Sequence, residues 1–174
     1  MRSLDYVFII LLALLALAIV LPSARKKALR FPVRVQLLRE GAALPVYGSK
    51  NAAGADLCAC LPDAVEIAPG ETAMIPTGIA VELPEGWAGL VYARSGLASK
   101  KDLAPANKVG VVDSDYRGEI LVSLHNHGAE TRRVEPGDRI AQLVLAPAPQ
   151  AIFEKTDALS GTARGSGGFG STGR

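Results

Sequence analysis

Short apolar runs, broken at near-regular intervals by Gly and Pro, make up most of this chain. They fall at 33–38, 56–61, 65–67, 72–75, 78–83, 89–93, 109–112, 119–124, 131–134 and 140–147. Turn signals at Pro62-Asp63, Pro69-Gly70, Pro84-Glu85-Gly86 and Pro136-Gly137 separate them. Runs of this length rich in Val, Ile and Leu are strands in the making, and Pro-Gly or Pro-Asp steps close turns rather than continue helices. The pattern predicts an all-β domain of the sandwich or jelly-roll kind. It leaves room for one short helix, within 95–103.

The two ends depart from that pattern. Between Asp5 and Arg25 lie 19 uncharged residues, almost all of them Leu, Ile, Val, Ala or Phe as far as Leu21. As a helix this run would span about 28 Å, close to the hydrocarbon thickness of a bilayer. It lacks the polar stripe of a core helix, so a hydrophobic membrane segment over residues 6–24 is expected. A cleavable export signal competes, with Pro22-Ser23-Ala24 as processing site. Its positive charge should precede the apolar run, however, whereas here Arg25-Lys26-Lys27 follows it. By the positive-inside rule the expected arrangement is an outside amino terminus and a membrane-anchored domain in the cytoplasm, with a plain cytoplasmic protein as the alternative. At the other end, 159–174 is rich in Gly and Ser, the composition of a disordered tail. Arg164 and Phe169 are embedded in it, which suits a backbone that folds over a ligand, guanidinium on phosphate and ring on base. The expected organisation is therefore 1–32 as apolar segment and basic linker, 33–158 as β domain, and 159–174 as a mobile arm.

Charge narrows the function classes. The net charge is +2, and Arg25, Lys26, Lys27 and Arg30 account for four positive charges, so the remainder stands at 2 − 4 = −2. A general nucleic-acid-binding surface is not indicated, because its basic stripe should survive removal of a tail. Cys58 and Cys60 alternate along an expected strand and read as two small apolar residues in a reducing compartment. With His125 and His127 they make a Cys2His2 zinc site arithmetically possible, but Cys-x-Cys and His-x-His depart from the usual ligand spacings.

Chemistry concentrates around Gly110-Val111-Val112-Asp113-Ser114-Asp115-Tyr116-Arg117-Gly118-Glu119. A lone carboxylate closes an apolar strand, Ser114-Asp115 supplies turn chemistry, and 120–124 returns as a second strand. This predicts an active-site hairpin with Asp113, Tyr116 and Arg117 around one turn. Four further segments have the composition of a nucleotide-phosphate site: Ala53-Gly54-Ala55-Asp56-Leu57, Arg94-Ser95-Gly96-Leu97-Ala98, Gly137-Asp138-Arg139-Ile140-Ala141-Gln142-Leu143, and Arg164-Gly165-Ser166-Gly167-Gly168-Phe169-Gly170-Ser171. Arg94-Ser95-Gly96 joins a strand to a helical turn, so backbone N–H groups, a hydroxyl and a planar cation can face one anion.

In this order and spacing the five segments resemble the five motifs of the homotrimeric deoxyuridine triphosphatase (dUTPase) family, from about Leu37 to the last residue. The resemblance implies a jelly-roll homotrimer with active sites at subunit interfaces, hydrolysing dUTP to dUMP and pyrophosphate by water attack on the α-phosphorus. Such a reaction keeps uracil out of DNA and supplies dUMP for thymidylate synthesis. Arg94, Ser95 and Gly96 would contact the phosphate chain, and Asn107 with the backbone of Gly110, Val111 and Val112 would read uracil. Tyr116 would lie beneath the deoxyribose, and Arg164, Gly167, Phe169 and Ser171 would close the site. Asp113 is the candidate general base and Gln142 the candidate orienter of the attacking water. Mg²⁺ on the triphosphate is the expected cofactor, with Asp56 reaching it through coordinated water. Deoxycytidine triphosphate deaminases share the fold but carry a Glu in a different hairpin. A membrane-anchored nucleotide-binding regulatory module is the rival from another class.

Overall fold

The computed structural model describes residues 30–168. Residues up to Val33 and residues from Arg34 onward form separate units, and every element below belongs to the second. In chain order these are β1 (Arg34–Leu37), β2 (Val46–Tyr47), β3 (Ala55–Cys58), β4 (Val65–Ile67), β5 (Thr72–Pro76), β6 (Ile79–Glu82), β7 (Trp87–Tyr92), α1 (Ser95–Lys101), β8 (Leu103–Pro105), β9 (Val109–Val112), β10 (Leu121–Asn126), β11 (Arg132–Val134) and β12 (Arg139–Pro147). The apolar runs foretell ten of these strands. The two without a run, β2 and β8, are two and three residues long, too short for periodicity to show.

The strands form a five-stranded sheet, β2-β3-β12-β7-β9, a three-stranded sheet, β5-β10-β8, and two ribbons, β1-β6 and β11-β4. All pairings are antiparallel. Along β10 the alternation is clean: Val122, Leu124 and Asn126 are buried while Leu121 is exposed. Leu57, Ile67, Ile75, Ile79, Leu103, Val122, Leu124, Val134 and Ile140 are the largest buried aliphatic side chains. A register shift between Arg139 and Ala141 puts both Ile140 and Ala141 inside, as a bulge does when it re-aims successive side chains.

The hairpin expected around Asp113 is not a hairpin. β9 pairs with β7, and β10 pairs with β5 and β8, so the segment between them crosses from one sheet to another. The cause lies at its far end. Ile120 N–H donates to Ile79 O at 2.9 Å, while Thr77 donates to Ile120 O through its N–H at 3.3 Å and its hydroxyl at 2.6 Å. These bonds, with Ile120 only 2% exposed, draw the returning chain onto the β5–β6 turn before it can pair with β9. The turn chemistry of Ser114-Asp115 was legible, but the partner strand was not.

The expected membrane segment over 6–24 lies outside the described residues. Among the described residues no helix is long and apolar enough to cross a membrane. Residues 148–168 carry no strand or helix, and Phe169 and Ser171 lie outside the described residues.

Candidate active site

Asp56, Arg94 and Gln142, far apart in sequence, meet because three strands align them. In the five-stranded sheet Asp56 pairs with Gln142, and Gln142 with Tyr92. Arg94 follows two residues later at the N-cap of α1, where it makes no side-chain cap. Arg94 Nε donates to Asp56 Oδ1 at 2.8 Å, Gln142 Nε2 to the same oxygen at 3.3 Å, and Arg139 donates to Asp56 Oδ2 at 3.1 Å. Arg94 also donates to Arg139 O at 3.3 Å. Asp56 is 7% exposed. Burial alone would raise its pKa, but the hydrogen bond and charge of Arg94, then Gln142 and Arg139, outweigh it and hold the carboxyl below its ordinary value. Two guanidinium groups around one carboxylate leave a net positive cluster, which is chemistry for an anion. Close packing is built in as well: a Cβ on Gly54 would stand 3.0 Å from Gln142 Cβ.

The second constellation is a cavity of about 320 Å³ lined on one side by Asn107, Gly110, Val111, Val112, Asp113 and Tyr116, and on the other by Met74, Pro105 and residues 119–123. β9 is an edge strand, so alternate N–H and C=O groups along it face away from β7 and are open to a planar ligand. Tyr116 N–H donates to Asp113 O at 3.2 Å and closes the turn. Arg117 donates to Ser114 O at 2.7 Å and to Tyr116 O at 2.9 Å. The Tyr116 hydroxyl donates to Glu119 O at 3.0 Å, and its ring covers Gly118 so closely that a Cβ there would be 2.3 Å from the hydroxyl oxygen. Glu119 accepts from Gly78 N–H at 2.7 Å and pairs with Arg39. Its fastenings leave the Asp113 carboxylate exposed and without a protein partner among the described residues, between this cavity and a groove of about 880 Å³ on its other side.

The two constellations do not merge within one chain. Gln142 aligns with Tyr92 and Tyr92 with Val109, so Asp113 stands two strands across and four residues along from Gln142. At ~4.8 Å per strand and ~3.3 Å per residue that is about 16 Å between backbones, too far for both side chains to hold one water.

Against known proteins, the sequence profile of dUTPase matches residues 40–173. The chain belongs to the dUTPase family. It is a nucleotide hydrolase of that family, 51% identical over 146 residues to the deoxyuridine 5'-triphosphate nucleotidohydrolase of Maricaulis maris, covering 82% of this chain and 96% of that protein. It is 47% identical to the enzyme of the same name from Salmonella paratyphi A, over 75% of this chain and 87% of the other. Among solved structures, the dUTPase of Staphylococcus bacteriophage 80alpha with dUPNHPP superposes with a TM-score of 0.76 at 30% identity, over 82% of this chain and 99% of that one. A variant dUTPase of S. aureus phage phi11, described for its coordination of a structural Mg(II) ion, superposes with a TM-score of 0.67 at 27% identity, over 75% and 100% of the two chains.

For this dUTPase the sequence reading missed Arg139 as a site residue, although it quoted the segment that contains it. The available signal was a cation three residues before Gln142, so that the bulge between them keeps both near Asp56. Ser95 and Gly96 are exposed in the first turn of α1, whose leading N–H groups have no intrahelical acceptors. The cysteines and histidines do not converge: Cys58 ends β3 in the five-stranded sheet, while His125 lies on β10 of the other. In the arm, Arg164 Nε donates to Gly167 O at 2.7 Å and Gly167 N–H returns to Arg164 O at 3.1 Å. Arg164 and Gly167 thus share a turn of their own, apart from both constellations.

Proposed function

We propose that this dUTPase hydrolyses dUTP to dUMP and pyrophosphate, and that each active site is assembled from more than one chain of a homotrimer. The observation that carries the second clause is the separation of about 16 Å between Asp113 and Gln142, two residues whose chemistry belongs to one water molecule. A neighbouring copy presenting its Asp113 turn to the Asp56 cluster would join the halves, and a third could lend the arm.

In that assembly Arg94 and Arg139, held by Asp56, receive the phosphate chain, with Ser95 and Gly96 adding a hydroxyl and backbone N–H groups. The open edge of β9 pairs with uracil N3–H and O4, while Asn107 supplies the side-chain contact. Cytosine inverts that donor and acceptor pattern and leaves groups unpaired, a discrimination of order 10⁴. The Tyr116 ring, fixed over Gly118, lies beneath the deoxyribose and rejects a 2′-hydroxyl. Gln142 aims the water and Asp113, whose carboxylate is exposed, takes its proton as the oxygen attacks the α-phosphorus. Arg164 and Phe169, with Gly167 and Ser171, close over the phosphates and base and exclude bulk water.

The residues present fit a Mg²⁺ bound chiefly by the triphosphate. Asp56 receives three donors, and a carboxylate has about four acceptor positions, so one remains for a water on the metal. When bound, Mg²⁺ neutralises charge on the phosphate oxygens.

Pyrophosphate release should be confined to dUTP when dUTP, dCTP, dTTP and UTP are offered in turn. Mixing tests the shared site. Asp113→Asn and Gln142→Ala, each inactive alone, should regain about a quarter of full activity when dissociated and reassembled together, the chance that a random site draws both intact residues from different chains. No recovery on mixing would overturn the shared site while leaving the reaction standing.

A further inference from the structure

Both histidines of the chain stand together, and neither has a part in the reaction proposed above. His125 occupies the fifth position of β10 and His127 follows the strand's end, two residues on and therefore on the same side of an extended backbone. Their rings meet edge to face with centroids 4.4 Å apart. The backbone between them is pinned from both sides. Asn126, fully buried, donates to Ile67 O and Glu130 O at 2.8 Å each and accepts from Gly128 N–H at 2.9 Å. His127 N–H donates to Asp102 O at 2.9 Å. The His125 ring is fixed as well, with Nδ1 2.9 Å from the hydroxyl of its cross-strand partner Thr72.

We propose that His125 and His127 form a chelating site for one borderline divalent transition ion, Zn²⁺, Ni²⁺ or Cu²⁺. His125 binds through Nε2 while its Nδ1–H donates to Thr72. Two imidazoles bound side by side at a metal–nitrogen distance of about 2.1 Å place their centroids about 4.5–5 Å apart. The rings already stand at about that separation, 4.4 Å, on a backbone pinned from both sides. Neutral imidazole is the ligating form. Imidazole nitrogens suit Zn²⁺, Ni²⁺ and Cu²⁺, whereas Mg²⁺ prefers oxygen. The site is thus chemically distinct from any Mg²⁺ carried by the nucleotide and does not rest on the reaction proposed above. Two protein ligands, with water in the other positions, make an exchangeable site rather than a structural one.

The chain has two histidines in all, so any histidine signature reads this pair alone. The untagged full chain with one equivalent of Cu²⁺ in a non-coordinating buffer should give an electron paramagnetic resonance spectrum with two equatorial imidazole nitrogens. Zn²⁺ titration by calorimetry should fit one ion per chain, and Mg²⁺ should leave that isotherm unmoved. His127→Gln should reduce the spectrum to one nitrogen and weaken Zn²⁺ at least about tenfold, with turnover of dUTP unchanged. Thr72→Val keeps both imidazoles and should weaken Zn²⁺ about 10- to 100-fold, the usual effect of losing a partner that orients a metal-bound His. Absence of a Zn²⁺ isotherm, or a spectrum unchanged when both histidines are replaced by Gln, would overturn the site. Unaltered affinity in Thr72→Val would overturn the assignment of Nε2.

Discussion

The cluster around Asp56 and the loop around Asp113 solve opposite problems. At Asp56 the protein must hold two guanidinium groups close together before a polyanion arrives, and it does so with a carboxylate 7% exposed that both of them share. At Asp113 the carboxylate has to be free, and the structure spends its hydrogen bonds on the surrounding backbone instead: Arg117 on Ser114 and Tyr116, Tyr116 on Glu119, Glu119 on Gly78. Charge recognition here is a pre-paired side-chain network, and base recognition is an open strand edge. Substitutions in the first should therefore damage folding and binding together, whereas substitutions in the second should damage turnover with the fold intact.

The strongest test of that division is Asp113→Asn. With no protein partner to lose among the described residues, the variant should melt as the parent does, yet kcat should fall by about 10²- to 10⁴-fold, the usual span for a removed general base. A matching loss of thermal stability would show that Asp113 is structural and would erase the contrast. Asp56→Ala should behave in the other way. It strands Arg94, half-buried, beside Arg139, and breaking a buried pair on one side costs about 3–5 kcal/mol. Arg139 is largely exposed, so solvent screening lowers the expectation to about 2–3 kcal/mol in urea denaturation, together with weaker nucleotide binding.

Which parts of this were legible before the structure follows the same division. The segments carrying Asp56, Arg94 and Gln142 could be picked out by composition, and antiparallel pairing of β3, β12 and β7 then made them neighbours. Residues whose work is done through backbone bonds gave no such signal. Glu119 looked like the start of a strand, and nothing in its neighbours says that it accepts from Gly78 N–H forty-one positions away. Asn126 reads as an ordinary polar residue between two histidines, yet it is fully buried and ties three backbone groups. Strand existence was readable from periodicity because burial imposes it locally. Strand partnership was not, because Ile120 is captured by Thr77 and Ile79 through long-range contacts, and local sequence does not encode them.

A smaller effect separates ring position from ring identity. Gly118→Ala places a Cβ where the Tyr116 hydroxyl now sits, 2.3 Å away, so the flexible ring must move rather than the backbone. The KM for dUTP should rise about tenfold, or 1.4 kcal/mol, and the preference over UTP should narrow, with kcat less affected because Asp113 keeps its turn. Tyr116→Phe, which keeps the ring over Gly118 and loses only the bond to Glu119 O, should stay much closer to the parent. If the two variants behaved alike, the hydroxyl bond and not the ring's placement would be what the site uses.

The mildest way to separate the two regions is acid. Asp56 has a folded pKa held below its ordinary value of 3.8, so as pH falls the unfolded chain takes up its proton first. The stability that Asp56 contributes is fully present above about pH 4 and is lost as pH drops through the depressed folded value. Urea midpoints should therefore decline below about pH 4, and Asp56→Asn, already lowered, should decline less steeply because it has no proton to bind there. An unchanged slope in Asp56→Asn would mean that the charge shared with Arg94 and Arg139 does not hold the cluster, and the two regions would then differ in position but not in kind.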